Sequence, residues 1–216
     1  MSKHLIAALI GLLPVAGSAQ TFSVPDGCEG VVTVQQKGCL LVNIWQCSAD
    51  PEGDKWIGLF SEAGLYSVQH VDREFQWLEA FKMSGSEALV QPADELLENG
   101  LDTYEFVIDK ESGAERTVGF DTLTGVETVI DGEPLLQTEF EGQTLAEDGS
   151  VIDMSGGRQW VSAKHRLFFF GESWDAGNPE ASVDLSPVEF IYPDEAGFFS
   201  ENPKFECGVI ESRFTK

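Results

Sequence analysis

Residues 116–174 read RTVGFDTLTGVETVIDGEPLLQTEFEGQTLAEDGSVIDMSGGRQWVSAKHRLFFFGESW, short β-prone segments punctuated by Thr124-Gly125, Asp131-Gly132, Asp148-Gly149 and Gly156-Gly157. Each dipeptide can supply the positive φ that a tight hairpin turn needs, so the spacing predicts consecutive antiparallel strands, a meander. From 136 to 144, Leu136, Thr138, Phe140, Gly142 and Thr144 share one face, and Gln137, Glu139, Glu141 and Gln143 the other. A sheet with one side on a core and one in water has this pattern. Leu167-Phe168-Phe169-Phe170 breaks it, because consecutive aromatics put large rings on both faces. Such a strand needs cover on both sides. It is either the centre of a roofed sheet, the commoner case for buried Phe, or the wall of an apolar cavity.

Upstream, 31–36 and 40–46 flank Lys37-Gly38, a two-residue hairpin turn by composition. Strands follow at 56–60, 65–71 and 75–81, with Asp72-Arg73 turning the second into the third. Residues 92–100 (PADELLENG) predict one short helix, opened by Pro and acids and closed by Asn99-Gly100. In 102–109, Tyr104, Phe106 and Ile108 form the inward face of a further strand. Beyond Trp174, 175–187 reads as a polar loop, 188–192 as a last strand, and 193–204 as an irregular arm whose Phe198 and Phe199 need a dry place. The fold class is therefore all-β: a single antiparallel meander of about ten to twelve strands, an open curved sheet or half-barrel, with one short helix and two disulfides.

Residues 1–19 have the layout of a secretory signal peptide: Lys3 and His4, an apolar run over 5–15 too short to span a bilayer, and Gly17-Ser18-Ala19 as a cleavage site. This leaves 20–216 as one exported β-rich domain, with periplasm or extracellular space as its destination. Loss of the leader removes one lysine and no acid, shifting the charge of −24 to −25. Such a charge excludes nucleic acid as a partner and disfavours an anionic membrane surface. No segment after the leader is long and apolar enough to predict a membrane span. Fifteen Phe and five Trp give the chain the means to bury a bulky core.

Four cysteines in an exported chain imply two disulfides. Around Lys37-Gly38, paired residues should have numbers summing to 75, and Cys28 and Cys47 do. Cys39 and Cys47, eight residues apart on one extended strand, lie ~26 Å apart and cannot bond. Cys28–Cys47 with Cys39–Cys207 is the favoured connectivity. A longer turn or a bulge would spoil the sum and leave Cys28–Cys39 with Cys47–Cys207 as the competitor.

Chemistry-bearing patterns are few. Asp50-Pro51-Glu52-Gly53-Asp54 lacks the spacing of a calcium loop and reads as a solvated turn. His70, Asp72 and Glu74 alternate, but Val71, Phe75 and Trp77 claim the apolar face, which leaves the three in water. Gly171-Glu172-Ser173-Trp174-Asp175 falls short of a nucleophile elbow, and His165, in the hairpin apex Ser162-Ala163-Lys164-His165, reads as an exposed turn residue. With 37 acids, chance carboxylate pairs are certain and carry no glycosidase signal.

No catalytic residue, cofactor or metal is expected on these grounds. At the level of architecture alone, an exported antiparallel sheet with a short helix and an aromatic interior resembles the half-barrels that carry lipids or lipoproteins, which licenses no residue assignment. The first functional expectation is a non-enzymatic binding or carrier protein whose aromatic face (Phe106, Phe140, Trp160, Phe168, Phe170) takes an apolar or lipid-like small molecule. The second is an acidic envelope interaction or assembly protein that meets a basic protein partner and takes no small ligand. The third is a carboxylate-based hydrolase.

Overall fold

A computed structural model describes residues 22–81, 93–110 and 113–208, and its strands form two six-stranded antiparallel sheets. The leader at 1–19 lies outside the described residues. The first sheet takes β1 (Cys28–Gln36), β2 (Leu40–Cys47), β3 (Lys55–Ser61), β4 (Gly64–Val71) and β5 (Trp77–Phe81) as successive neighbours. The chain enters the second sheet through helix α1 (Ala93–Asn99) and β6 (Leu101–Lys110). It then runs through β7 (Gly113–Ile130), β8 (Glu133–Leu145), β9 (Val151–Ser162), β10 (Leu167–Asp175) and the short β11 (Val183–Asp184), which lies in the stretch read as a polar loop. Finally β12 (Pro187–Ile191) returns to the first sheet and pairs with β1. The all-β antiparallel class, the short helix and both disulfides are as expected. The strands divide between two sheets instead of one, and neither closes into a barrel among the described residues.

The division has a physical reason. Val32, Val34, Val42, Ile44, Ile57, Leu59 and Val71 make one face of the first sheet apolar, and Leu135, Leu167 and Phe169 of the second sheet pack on it. Burying both apolar faces against one another removes more surface from water than one continuous curved sheet could. Of the turn dipeptides, Asp131-Gly132 makes the β7–β8 hairpin with positive φ at both residues, and Asp148-Gly149 sits in the β8–β9 turn. Thr124-Gly125 is instead a bulge inside β7, where the register with β8 shifts between Leu123 and Glu127. Gly156 and Gly157 lie within β9. A side chain at Gly157 would strike the ring of Phe140, and one at Gly156 would meet the Trp174 indole at 2.9 Å. Cross-strand aromatics therefore fill the space that these glycines leave.

The first hairpin corrects its own arithmetic. Its turn has three residues, Lys37 to Cys39, so Thr33 faces Asn43 and Gln36 faces Leu40. A bulge between Gly30 and Val32 then restores the predicted register, and Cys28 faces Cys47 at a Cα separation of 3.9 Å. Cys39 bonds Cys207, with a Cα separation of 4.5 Å.

The second face of the first sheet is covered by the C-terminal arm. Asn43 accepts from the Thr33 hydroxyl at 2.6 Å and donates to the Ser200 carbonyl at 2.8 Å, while the Phe199 amide donates to Thr33 at 2.8 Å. Gln35 grips the arm with both ends of its amide, donating to the Asn202 carbonyl at 3.2 Å and accepting from the Lys204 amide at 3.0 Å. Phe199 is thereby set against Trp45 and Phe22, the dry place its sequence demanded.

The two bridges close loops of very different length, with sequence separations of 19 and 168. Replacing Cys39 and Cys207 together by Ser should cost roughly 5 kcal/mol, and replacing Cys28 and Cys47 about 3 kcal/mol. Denaturant unfolding of the two variants measures this, and the first should also open the arm to protease before the sheets. The opposite ranking would contradict the assignment of the arm as a structural cover.

Candidate functional site

Between the two sheets lies a cavity of about 350 Å³, lined from both. Val42, Ile44, Ile57 and Leu59 line it from the first sheet, and Phe168 and Phe170 from the second. Its mouth is marked by Tyr66 and Phe170, which are 40 % and 39 % exposed. No Asp, Glu, Lys, Arg or His is part of the lining, and its polar groups are Tyr66 and the amides of Gln36, Gln69 and Gln159. Gln36 is fully buried, and neither its Oε1 nor its Nε2 has a hydrogen-bond partner; Gln159 Oε1 is also buried without one.

The aromatic run contributes Phe168, Phe169 and Phe170 to one lining, and β10 is irregular there. Its register with β9 shifts between Phe169 and Glu172, so the rings do not simply alternate. Phe169 packs edge-on against Phe190 at 5.4 Å and belongs to the shared core, while Phe168 leans on Phe75 at 5.2 Å. Phe75, read from sequence as the start of a strand, sits in the β4–β5 turn at φ 64° and is driven inward. Asp72 holds that turn, its Oδ1 accepting from the amides of Glu74 and Gln76 at 2.8 Å each.

Of the aromatic residues nominated from sequence, the structure brings Phe168 and Phe170 together at the cavity. Trp160 packs at the edge of the core and donates its indole N–H to Ser186 at 3.0 Å. Phe140 covers Gly157, and Phe106 lies beside Tyr104 at 6.2 Å, both on the part of the second sheet away from the cavity. The glutamines carry no signal in the sequence, since a Gln on a strand reads as a solvated residue.

The apex between β9 and β10 is not solvated as its composition suggested. His165 is buried, and its Nε2 lies 3.1 Å from the Tyr192 hydroxyl. Tyr192 donates to Glu133 Oε2 at 2.6 Å, Lys164 donates to the same oxygen at 2.9 Å, and Ser162 donates to Oε1 at 2.9 Å. Burial alone would raise the Glu133 carboxyl, but these three hydrogen bonds and the neighbouring imidazole hold it below its usual range. Burial lowers His165, with Lys164 and Lys55 adding to the effect against the pull of Glu133. An imidazole nitrogen facing a hydroxyl whose proton is already given to Glu133 must donate, which places a proton on His165 Nε2. His165 thus faces a tyrosine and not the Ser162 oxygen, and the group makes a clamp between sheets with no activated nucleophile. Arg166 extends it, pairing with Glu74 at 2.8 Å and Asp94 at 2.7 Å and donating to the Arg73 carbonyl at 2.8 Å.

His70 also departs from its solvated reading. It is buried, stacked on Trp56 at 4.3 Å, with Nε2 3.4 Å from Asp54 and 3.8 Å from Asp50. Asp50 in turn accepts from the Trp56 indole at 2.7 Å, so the two ends of the Asp50–Asp54 turn are packed while Pro51 and Glu52 between them are exposed, as a solvated turn would be. Among the described residues, no three His, Cys, Asp or Glu side chains are arranged to hold a metal. Ser173 lies in mid-strand opposite Gly157 and Val183, not at a strand-to-helix elbow.

A second buried acidic group lies under α1, where Asp102 and Asp121 face each other across β6 and β7 and are fully buried. Burial and the nearby Glu95 push Asp102 up to about 6; burial and Asp102 push Asp121 up to about 7, with Thr138 offsetting a small part. Tyr104 on the same face is raised to about 12 by burial and by both carboxyls.

No family model, curated protein or solved structure matches the chain. Among the described residues no helix is long and apolar enough to cross a membrane. Two disulfides and no free cysteine among the described residues are the usage of an oxidising compartment.

The Asp102–Asp121 pair has a measurable consequence. Both folded pKa values lie above the 3.8 of an ordinary Asp, so the folded chain holds more protons than the unfolded one between pH about 4 and about 7. Their contribution is complete below that window and is lost as pH rises through it. Asp102→Asn with Asp121→Asn should gain on the wild type by roughly 5 kcal/mol between pH 4.5 and 7.5 in paired urea titrations. Parallel pH profiles for the two proteins would contradict the assignment.

Proposed function

We propose that the protein binds a small apolar molecule between its two sheets, as a non-enzymatic carrier or binding protein of the periplasm or another exported compartment. The observation that carries the reading is the cavity itself. It is walled by branched aliphatic and phenyl side chains, open at Tyr66 and Phe170, and free of charged groups in its lining. At about 350 Å³ it falls at the small end of the ~300–1,000 Å³ usual for ligand pockets. A single-ring or short-chain molecule suits it better than a two-chain lipid. The clamps at Glu133 and Arg166 support the same reading, because they fix the sheets without using any residue of the cavity wall.

The solvatochromic dye N-phenyl-1-naphthylamine tests it. Wild type should bind the dye with a fluorescence increase, Leu59→Phe should weaken binding at least ~10-fold by filling the cavity, and Phe106→Ala should leave it unchanged. Thermal unfolding of each variant separates loss of the pocket from loss of the fold. Equal binding by Leu59→Phe, with its fold intact, would move the site elsewhere.

A further inference from the structure

Resting on that reading, we propose that the ligand is uncharged and ends in a group that both donates and accepts hydrogen bonds, a carboxamide or lactam, held by the side chain of Gln36 with Gln159 beside it. The two consecutive glutamines of β1 make the contrast. Gln35 points to the arm and has both ends of its amide engaged. Gln36 is part of the cavity lining, is fully buried, and has neither end engaged. Buried polar side chains nearly always have partners, so an amide with both a donor and an acceptor unused marks where a complementary group belongs. Because both ends are open, the conclusion is the same whichever way the amide is turned.

The rest of the lining narrows the class. A carboxylate or ammonium headgroup would lose its water with no opposite charge among the lining residues, which disfavours fatty-acid anions and amines. A pure hydrocarbon would fill the apolar wall and leave the Gln36 amide and Gln159 Oε1 unsatisfied. A neutral amide meets both conditions: its C=O accepts from Gln36 Nε2, and its N–H donates to Gln36 Oε1 or Gln159 Oε1. Its apolar body then lies along Ile44, Leu59 and Phe168 towards the mouth.

Three competitors matched in shape test this by displacement of N-phenyl-1-naphthylamine at pH 8: 3-phenylpropanamide, 3-phenylpropanoate and propylbenzene. The amide should displace the dye from wild type at ~10- to 100-fold lower concentration than the other two. In Gln36→Leu, and in Gln36→Met as a second variant of similar volume, dye binding should persist and the preference for the amide should collapse. Equal potency of all three on a wild type that binds the dye would overturn the headgroup assignment and leave the cavity as a plain apolar site. An undiminished amide preference in folded Gln36 variants would overturn the role of Gln36. Absence of any binding by dye and competitors would instead remove the cavity reading and this inference with it.

Discussion

Three residues of the β9–β10 turn, Lys164, His165 and Arg166, hold the two sheets in their relative position. From one turn, Lys164 and His165 reach to Glu133 and Tyr192, and Arg166 reaches to Glu74, Asp94 and the Arg73 carbonyl. The first set binds the end of β12, the second the β4–β5 turn and the start of α1. One hairpin tip of the second sheet is therefore tied to both margins of the first. A buried carboxylate such as Glu133 is tolerated only when its lone pairs are filled, and here three side chains fill them. The aromatic run 167–170 leaves this turn directly, so where the turn is fixed the rings are fixed. Phe168 and Phe170 then stand across a gap from Ile44 and Leu59 instead of collapsing on them.

The far side of the first sheet matters for the same reason. A sheet covered on one face only can flex to close a void, because the cost of an apolar cavity favours collapse. Here the arm is sewn to the outer face by Thr33, Gln35 and Asn43 and bolted by Cys39–Cys207. Trp45, Phe22 and Phe199 pack beneath it. With both faces of β1 to β3 engaged, the wall of the cavity is stiff, and the polar side chains of β1 have opposite fates. Those facing the arm are paired; Gln36, in the cavity lining, is not.

Much of this was legible locally. Alternation along β6 and β8 located their inward faces, as the burial of Asp102 and Thr138 against the exposure of Thr103 and Glu139 bears out. The short helix ends at Gly100, whose amide donates to the Leu96 carbonyl at 2.8 Å, as Asn99-Gly100 foretold. The predicted register paired Cys28 with Cys47, and it holds there because a bulge near Gly30 offsets the longer turn. What local pattern could not give was sheet membership, since antiparallel neighbours look alike whether one sheet or two result. Gly156-Gly157 reads as a turn until the register sets Phe140 and Trp174 over it. His165 reads as exposed because the partners that bury it, Glu133 and Tyr192, lie tens of residues away in sequence. Of the five aromatic residues proposed for a site, the two inside the unbroken ring sequence, Phe168 and Phe170, line the cavity, and Phe106, Phe140 and Trp160 do not. The glutamines escaped notice because amide chemistry becomes informative only once burial and missing partners are known.

The proposed site requires the gap between the sheets to be a standing cavity and not a seam that closes in the empty protein. A high-resolution crystal structure of detergent-free protein, pressurised with xenon, addresses it directly. Xenon should bind among Ile44, Leu59 and Phe168, with Phe168 and Phe170 unmoved and Gln36 in the lining of the same space. Phe168 or Phe170 turned inward to fill the space, with no xenon bound between the sheets, would contradict it.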